Sequence, residues 1–461
     1  MMGCQSDNQQ SLFYDFCLED HVPEDHLLRR VAAVLDLSDV RRRLAPYYSA
    51  MGRPSLDPEL VIRMLLVGYL YGIRSERRLC EEVHLNLAYR WFCGMGLNGT
   101  VPDHSSFLKT RHGRFRESDA LRLVFEGVVQ SCMNAGLVGG ETFATDATVI
   151  EADARVMRRT EDNKPPDDWD DPGKITRPVR EYLARLDKAM GLDSLPGETP
   201  QPAKALSLTD PNAALTSKGK SKIAFAYGDN YLIDTKAAII VDVEASPARW
   251  TAEVAATRTM IGRTKDRFGL HPDNIAADTA YGGGPMLAWL TARGITPHIP
   301  VLDRRHQTNG VFTREDFRFD PETNSYICPG SMRLRLVARR DNDILSYKAR
   351  AADCECCPLK RQCTTGAARQ LSVSAHEDVR QRIAKLATTK AFRKSAYARR
   401  KVEMCFAHLK RNLNFRRLRL RGITGARDEC TLAATAQNLR KLVKLIGCSP
   451  PRLPVAGCAT A

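Results

Sequence analysis

Between Ala391 and Arg421 the only acidic side chain is Glu403. It stands among Arg393, Lys394, Arg399, Arg400, Lys401, Lys410, Arg411, Arg416, Arg417, Arg419 and Arg421. A helix that needed only solubility would mix signs to form i,i+4 pairs. A helix that needed only to hold DNA would omit the acid, because a carboxylate repels phosphate. A lone Glu in such a field makes chemical sense if a divalent cation stands between it and a phosphate, as in a metal-dependent enzyme acting on nucleic acid.

Two aspartates extend the idea. Asp146 lies in the middle of Ala144-Thr145-Asp146-Ala147-Thr148, an alternating stretch that reads as a strand, where Asp is disfavoured without a reason. Asp278 closes a second predicted strand, Asn274–Asp278, just before Gly282-Gly283-Gly284, and ligand sites in α/β sheets gather at strand ends. At 100° per residue, Arg399, Glu403 and Lys410 share a narrow helical stripe. Val402, Cys405, Phe406, Leu409 and Leu413 form the adjacent apolar face, while Lys401, Met404, His408 and Arg411 point away. Such a helix can pack on a sheet with Glu403 at the rim. Asp146, Asp278 and Glu403 are therefore the candidate catalytic and metal-ligating residues. Their oxygens suit two Mg²⁺ or Mn²⁺ ions working on the attacking and leaving oxygens of a phosphoryl displacement. Taken singly, each has a plainer reading: a strand Asp as a hydrogen-bonding edge residue, and Glu403 as the ion-pair partner of Arg399.

The elements that must position these groups read as follows. Residues 1–135 form a helical domain. It contains Pro58–Gly72, then Ser75–Cys93 with Leu79, Cys80, Val83, Leu87 and Trp91 on one side, then a capped basic helix Ser106–Arg116, a layout similar to helix-turn-helix DNA binders. From Thr142 the pattern changes to strands at Phe143–Ile150, Lys222–Ile233 and Ala237–Glu244, the last two joined at Asp234-Thr235-Lys236. A helix Thr251–Arg267, the strand Asn274–Asp278, a helix Pro285–Arg293 and a strand Ile295–Val301 follow. This is an α/β layout with a mixed sheet and flanking helices, occupying 140–300 plus 391–425. Two insertions interrupt it. Residues 155–221 are polar, with one helix Arg177–Met190 and mobile stretches at Pro165–Asp168 and Ser194–Pro202. Residues 302–390 are Cys-rich. The long basic helix is expected at Phe392–Leu413, and 426–461 hold one more helix, Thr431–Ile446, and a Pro-rich tail.

The 461 residues carry a net charge of +15 and a pI near 9.3. Basic residues spread over several segments favour nucleic acid over a membrane surface. The run Val61–Ile73 is too short to span a bilayer and is broken by Arg63. The N-terminus, with Cys4, Asp7 and Asp15, lacks signal-peptide order, so a cytoplasmic, nucleoid-associated location is expected. Fourteen cysteines are dilute except for Cys328, Cys354, Cys356, Cys357 and Cys363. Cys354 and Cys357 have knuckle spacing, and with Cys363 and Cys328 they could bind one structural Zn²⁺. Cys356 competes as a ligand, and plain reduced thiols are the alternative.

Thr145-Asp146-Ala147-Thr148, Ala277-Asp278-Thr279-Ala280-Tyr281 and the helix Tyr397–Lys410 together resemble a bacterial insertion-sequence transposase of the DDE type, with an RNase H-like core. The resemblance covers most of residues 20–445. It includes Gly52-Arg53-Pro54-Ser55 through His104–Arg111, similar to the helical region that precedes such cores. In members with a Tyr–Arg–Glu–Lys signature, Arg stands four residues before Glu and Lys seven after it, as Arg399 and Lys410 do. The Tyr position is Ala396 here, with Tyr397 beside it. The resemblance implies that Asp146, Asp278 and Glu403 bind two metal ions, that water cuts the ends of a mobile element, and that the released 3′-hydroxyl attacks target DNA. It also implies that Arg399 and Lys410 hold backbone phosphates, a role their charge permits independently, and the basic Arg400, Arg416 and Arg417 are further candidate DNA contacts. The expected partner is double-stranded DNA, both element ends and target, engaged by a homo-oligomer. A hydrolytic nuclease without strand transfer and an inactive DNA-binding derivative are the competing functions. The second is disfavoured because acids beside phosphate cost a pure binder affinity.

Overall fold

The alternation that predicts a strand at Phe143–Ile150 is realised as an extended segment, Thr142–Glu151 (β1), at the centre of a six-stranded sheet. The computed structural model describes residues 16–48, 51, 55–160, 164–171, 173–190, 205–217, 223–301, 312–340 and 343–447. Contacts divide the chain into two units, Met1–Ser131 with Leu439–Ala461, and Cys132–Asn438.

The first unit is helical. Pro58 opens the helix Pro58–Leu70, with the Asp57 side chain accepting from the Glu59 amide, a standard N-cap. The helix expected over Ser75–Cys93 is two helices, Glu76–Leu85 and Leu87–Phe92. Asn86 breaks it by adopting extended backbone and capping the second helix through the Tyr89 amide, 3.1 Å away. Leu79, Cys80 and Val83 are buried, but Leu87 is exposed and leaves the expected stripe. Asp103 caps His104–Thr110, and the basic helix continues only as a π-turn, Arg111–Phe115. Arg111 within it is buried and ion-paired with Glu76, so it packs the helices and is closed to a phosphate. In the same unit Arg440 donates to the Leu70 carbonyl at 2.5 Å.

The second unit holds the sheet. After β1 come the short pair Arg159–Thr160 (β2) and Leu206–Ser207 (β3), then Ala214–Thr216 (β4), Ala224–Asp234 (β5), Ile239–Pro247 (β6), Asn274–Ala276 (β7) and Thr296–His298 (β8). The sheet order is β4-β5-β1-β7-β8, with β6 also on β5. The β1–β5 and β5–β6 pairs are antiparallel, whereas β1–β7 and β7–β8 are parallel. Successive side chains point to opposite faces. On β1, Thr145 bonds Thr257 of the helix Trp250–Phe268 at 3.1 Å. Its neighbour Asp146 meets Arg399 of the helix Lys390–Arg411. The two helices therefore cover opposite faces. One face carries a core of Phe143, Leu232, Met260, Ile275, Leu287 and Ile383, among others. A Cβ at Gly284 would overlap the Ser374 hydroxyl, which would have to turn aside.

Two expectations about the insertions change. Pro165–Asp168, read as mobile, lead into a one-turn helix, Asp167–Asp170, whose Trp169 is buried with Val179 and Leu206. Ser194–Pro202 lies outside the described residues, as does the Pro-rich tail. The Cys-rich insertion contains a second, antiparallel sheet unforeseen from sequence: Arg318–Asp320 (β9), Ser325–Ile327 (β10), Arg333–Arg340 (β11), Ile344–Lys348 (β12) and Gln370–Ser374 (β13). The last helix is longer than expected, Gly422–Ile446.

Candidate active site

The basic helix Lys390–Arg411 is fixed on the sheet by its apolar stripe. Val402, Cys405, Phe406 and Leu409, with Leu413 just beyond, are buried as the spacing requires, and the helix packs on β1, β7 and β8. Polar contacts set its position. The Ser395 hydroxyl and His298 Nδ1 stand 2.7 Å apart. Lys401 Nζ donates to the Thr235 carbonyl at 2.5 Å, and Gln437 Nε2 donates to the Cys405 carbonyl at 2.8 Å and lies 3.0 Å from His408 Nδ1. Lys401 and His408, expected to point away, are thus recruited by neighbouring elements. Met404 and Tyr397 are exposed.

The parallel register pairs Ala144 with Ala276. Asp146 and Asp278 each stand two residues beyond that last pair, near enough for the charge of Asp278 to act on Asp146. The strand stops at Ala276, two residues earlier than expected, because Asp278 is the N-cap of the turn Thr279–Tyr281 and accepts the Ala280 amide at 2.9 Å. Glu403 reaches the same place from the helix through Arg399. One guanidinium nitrogen lies 3.1 Å from Asp146 Oδ2 and the other 2.9 Å from Glu403 Oε1. The plainer reading of Glu403 as an ion-pair partner is therefore correct as far as it goes, but the same arginine also holds Asp146.

Burial is the main influence on Asp146 and pushes its carboxyl up to about 6. The Ala147 amide opposes this, the charge of Asp278 adds to it, Arg399 opposes and Glu403 adds. Three carboxylates thus share one field, with one cation bridging two of them. Glu403 keeps 53% of its side-chain surface exposed, against 18% for Asp146, so the acids line a rim open to a large substrate. Among the described residues no group of three or more His, Cys, Asp or Glu is arranged to hold a metal ion. Of the three acids, Asp146 and Glu403 are bridged by Arg399. Their donor chemistry nevertheless fits a hard divalent cation, and Arg399 stands where a positive charge is wanted.

Two family models match the chain. One, described as "Transposase DDE domain", covers residues 327–443, and the other, "Transposase domain (DUF772)", covers residues 16–113. The chain is a DDE-type DNA transposase. A DDE transposase is a metal-dependent enzyme that cuts and joins DNA. The first match contains Glu403 with Arg399 and Lys410, while Asp146 and Asp278 lie outside both. Among solved structures, one described as a piggyBac transposase synaptic complex with hairpin DNA aligns over 91% of this chain and 79% of that one, at 8% identity and a TM-score of 0.32. A likeness that slight says nothing further about this transposase. No curated protein matches it. Among the described residues no helix is long and apolar enough to cross a membrane.

The other predicted DNA contacts of the transposase fall into two groups. Arg400 and Arg416 are exposed, Arg400 lying 5.1 Å over the Tyr397 ring. Arg417 is exposed too, but it pairs with Asp153 at 3.0 Å, and Arg421 pairs with the same acid at 2.9 Å. Asp153 therefore anchors the segment after the helix. That segment also bridges onto the end of β1, with Leu418 donating to the Glu151 carbonyl at 2.8 Å.

Lys410 has a neighbour that sequence reasoning missed. Asp229, on β5, is fully buried, and burial pushes its carboxyl up to about 7, against the nearby Cys430 thiol, Tyr231 hydroxyl and Lys410 charge. An alternating strand gives no hint that an acid will face inward. The folded state then holds this proton from about pH 4 to about pH 7, a window in which the unfolded chain has released it. The contribution is present below that window and is lost as pH rises through about 7. Asp229→Asn should raise stability at pH 8 by roughly 1–3 kcal/mol and flatten this part of the pH profile in denaturant titrations.

Proposed function

We propose that this transposase cuts the ends of an insertion sequence and joins the released 3′-hydroxyls to target DNA, using Asp146, Asp278 and Glu403 as its metal-ligating centre on an RNase H-like core. The observation that supports the reading is the shared field of the three acids, in which the charges of Asp278 and Glu403 both act on Asp146, together with the Arg399 bridge from Asp146 to Glu403. The strand order and the helix bearing Glu403 against β1 and β7 support the core assignment. Mg²⁺ or Mn²⁺, when bound, would sharpen the attacking oxygen and steady the leaving one.

The chain's own residues do the rest. Asp146 is desolvated and poor at carrying its charge alone, so it favours a cation. Arg399 neutralises two of the acids in the absence of DNA and is placed to turn to a backbone phosphate once they are otherwise engaged. Lys410 and the exposed Arg400 and Arg416 extend the cationic track for DNA. The helical domain at the N-terminus supplies recognition of element ends. Two copies on two ends are the working assembly, and a cytoplasmic, nucleoid-associated enzyme follows from that substrate.

The test uses duplexes taken from the DNA on either side of the coding sequence, incubated with the full chain and Mg²⁺. Nicked ends bearing 3′-hydroxyls are expected, and no cleavage in either Mg²⁺ or Mn²⁺ overturns the reading. In the same assay Arg399→Ala and Lys410→Ala should raise KM for DNA roughly tenfold each and leave measurable turnover, because these residues position phosphate.

A further inference from the structure

The cysteines that the active site leaves unused are gathered in the second sheet. Cys328 follows β10 at the start of a tight turn, in which Ser331 takes a left-handed φ of 62° and the Met332 amide donates to Cys328 Sγ at 3.3 Å. Cys354 lies on the short helix Ala351–Glu355, Cys357 just after it, and Cys363 at the end of Lys360–Cys363. All four line one small cavity, together with Lys360 and Arg369. Cys356, the competing ligand, is exposed and does not line it.

Three features suit this cavity to a thiolate site. A Cβ at Gly330 would lie 3.3 Å from Cys357 Sγ and 3.6 Å from Cys328 Sγ, so glycine leaves the space between the two sulfurs clear. Arg369 spends its terminal nitrogens on the Cys363 and Phe312 carbonyls, at 2.8 and 2.7 Å, while its buried Nε has no partner. The guanidinium's charge at the cavity wall favours the thiolate form of the cysteines there, and amide-to-sulfur bonds like that of Met332 orient a metal's ligands. The module is also short of apolar core. Its buried cluster is Phe317, Tyr326, Leu334, Tyr347, Ala349, Leu371 and Val373, and β11 is mostly exposed, Arg333, Arg335, Arg339 and Arg340 included. Small units with thin cores usually need a staple.

We propose that Cys328, Cys354, Cys357 and Cys363 bind one Zn²⁺ that pins the β10–β11 turn to the two short helices. The thiols surround the cavity without meeting at a point, so closure takes side-chain rotation. Four thiol protons leave to solvent as the metal enters, and Lys360 and Arg369 offset the net negative charge of a four-thiolate site.

The full chain, purified without chelators, should carry about one zinc per chain by elemental mass spectrometry. Cys356→Ser and Glu403→Gln should retain it, which separates this site from the catalytic acids. Cys354→Ser and Cys357→Ser should lose it. Because those variants could fail to fold, the unaltered protein is also titrated with an organomercurial beside a chromogenic chelator. Zinc release in step with modification of these four thiols, and a lower melting temperature restored once excess thiol has stripped the mercurial and zinc is added back, support the site. Zinc-free protein, zinc surviving the Cys354→Ser/Cys357→Ser double variant, or zinc lost with Glu403→Gln overturns it.

Discussion

Asp146→Asn, Asp278→Asn and Glu403→Gln will each lower Mg²⁺-dependent cleavage of element ends by at least about 10³-fold while DNA affinity holds or rises. Each exchange keeps the side chain's shape and removes one negative charge. Affinity does not fall, because a carboxylate beside phosphate opposes binding. Losing two acids should cost little more than losing one, since groups that share a ligand act as a unit. Glu151 is the control. It ends β1 exposed, and Glu151→Gln should cleave normally. Asp153 is not a fair control, because it holds both Arg417 and Arg421. Normal cleavage by Glu403→Gln, or an equal loss on replacing Glu151, would remove the three acids from the mechanism.

DNA affinity should fall by roughly 10³-fold between about 50 and about 200 mM salt, as expected for a protein that displaces counterions from several phosphates. The chain's charge of +15 and the exposed Arg400 and Arg416 motivate this. Replacing Arg400 and Arg416 by Ala should flatten the slope by about one unit each on a log–log plot. Replacing Arg111 should leave the slope unchanged, because that guanidinium is buried against Glu76. Fluorescence anisotropy across a salt series reads both. A slope indifferent to Arg400 and Arg416 would move the DNA path off this helix.

Much of the sheet was legible from local pattern, and so were the three acids proposed for the active site. Asp146 stood out because an acid mid-strand contradicts strand preference, and Glu403 because its sign contradicts its surroundings. What was not legible depends on tertiary neighbours. Asn86 splits a helix because its side chain prefers to cap the next turn. Asp278 leaves its strand to cap a turn. Lys401 and His408 are drawn inward by carbonyl and amide partners on other elements. The burial of Asp229 depends on which elements cover β5, and no residue beside it announces that. The second sheet escaped notice because β9 and β10 are three residues each, too short to show a pattern, and β11 carries four arginines.

The most direct test of the account is a joining assay. Short duplexes carrying an element end with a pre-formed 3′-hydroxyl are mixed with supercoiled target plasmid, Mg²⁺ and either the unaltered chain or Glu403→Gln. Labelled ends covalently joined to plasmid are expected with the unaltered chain and none with Glu403→Gln. Joining by Glu403→Gln, or an unaltered chain that cuts ends and never joins them, would contradict it.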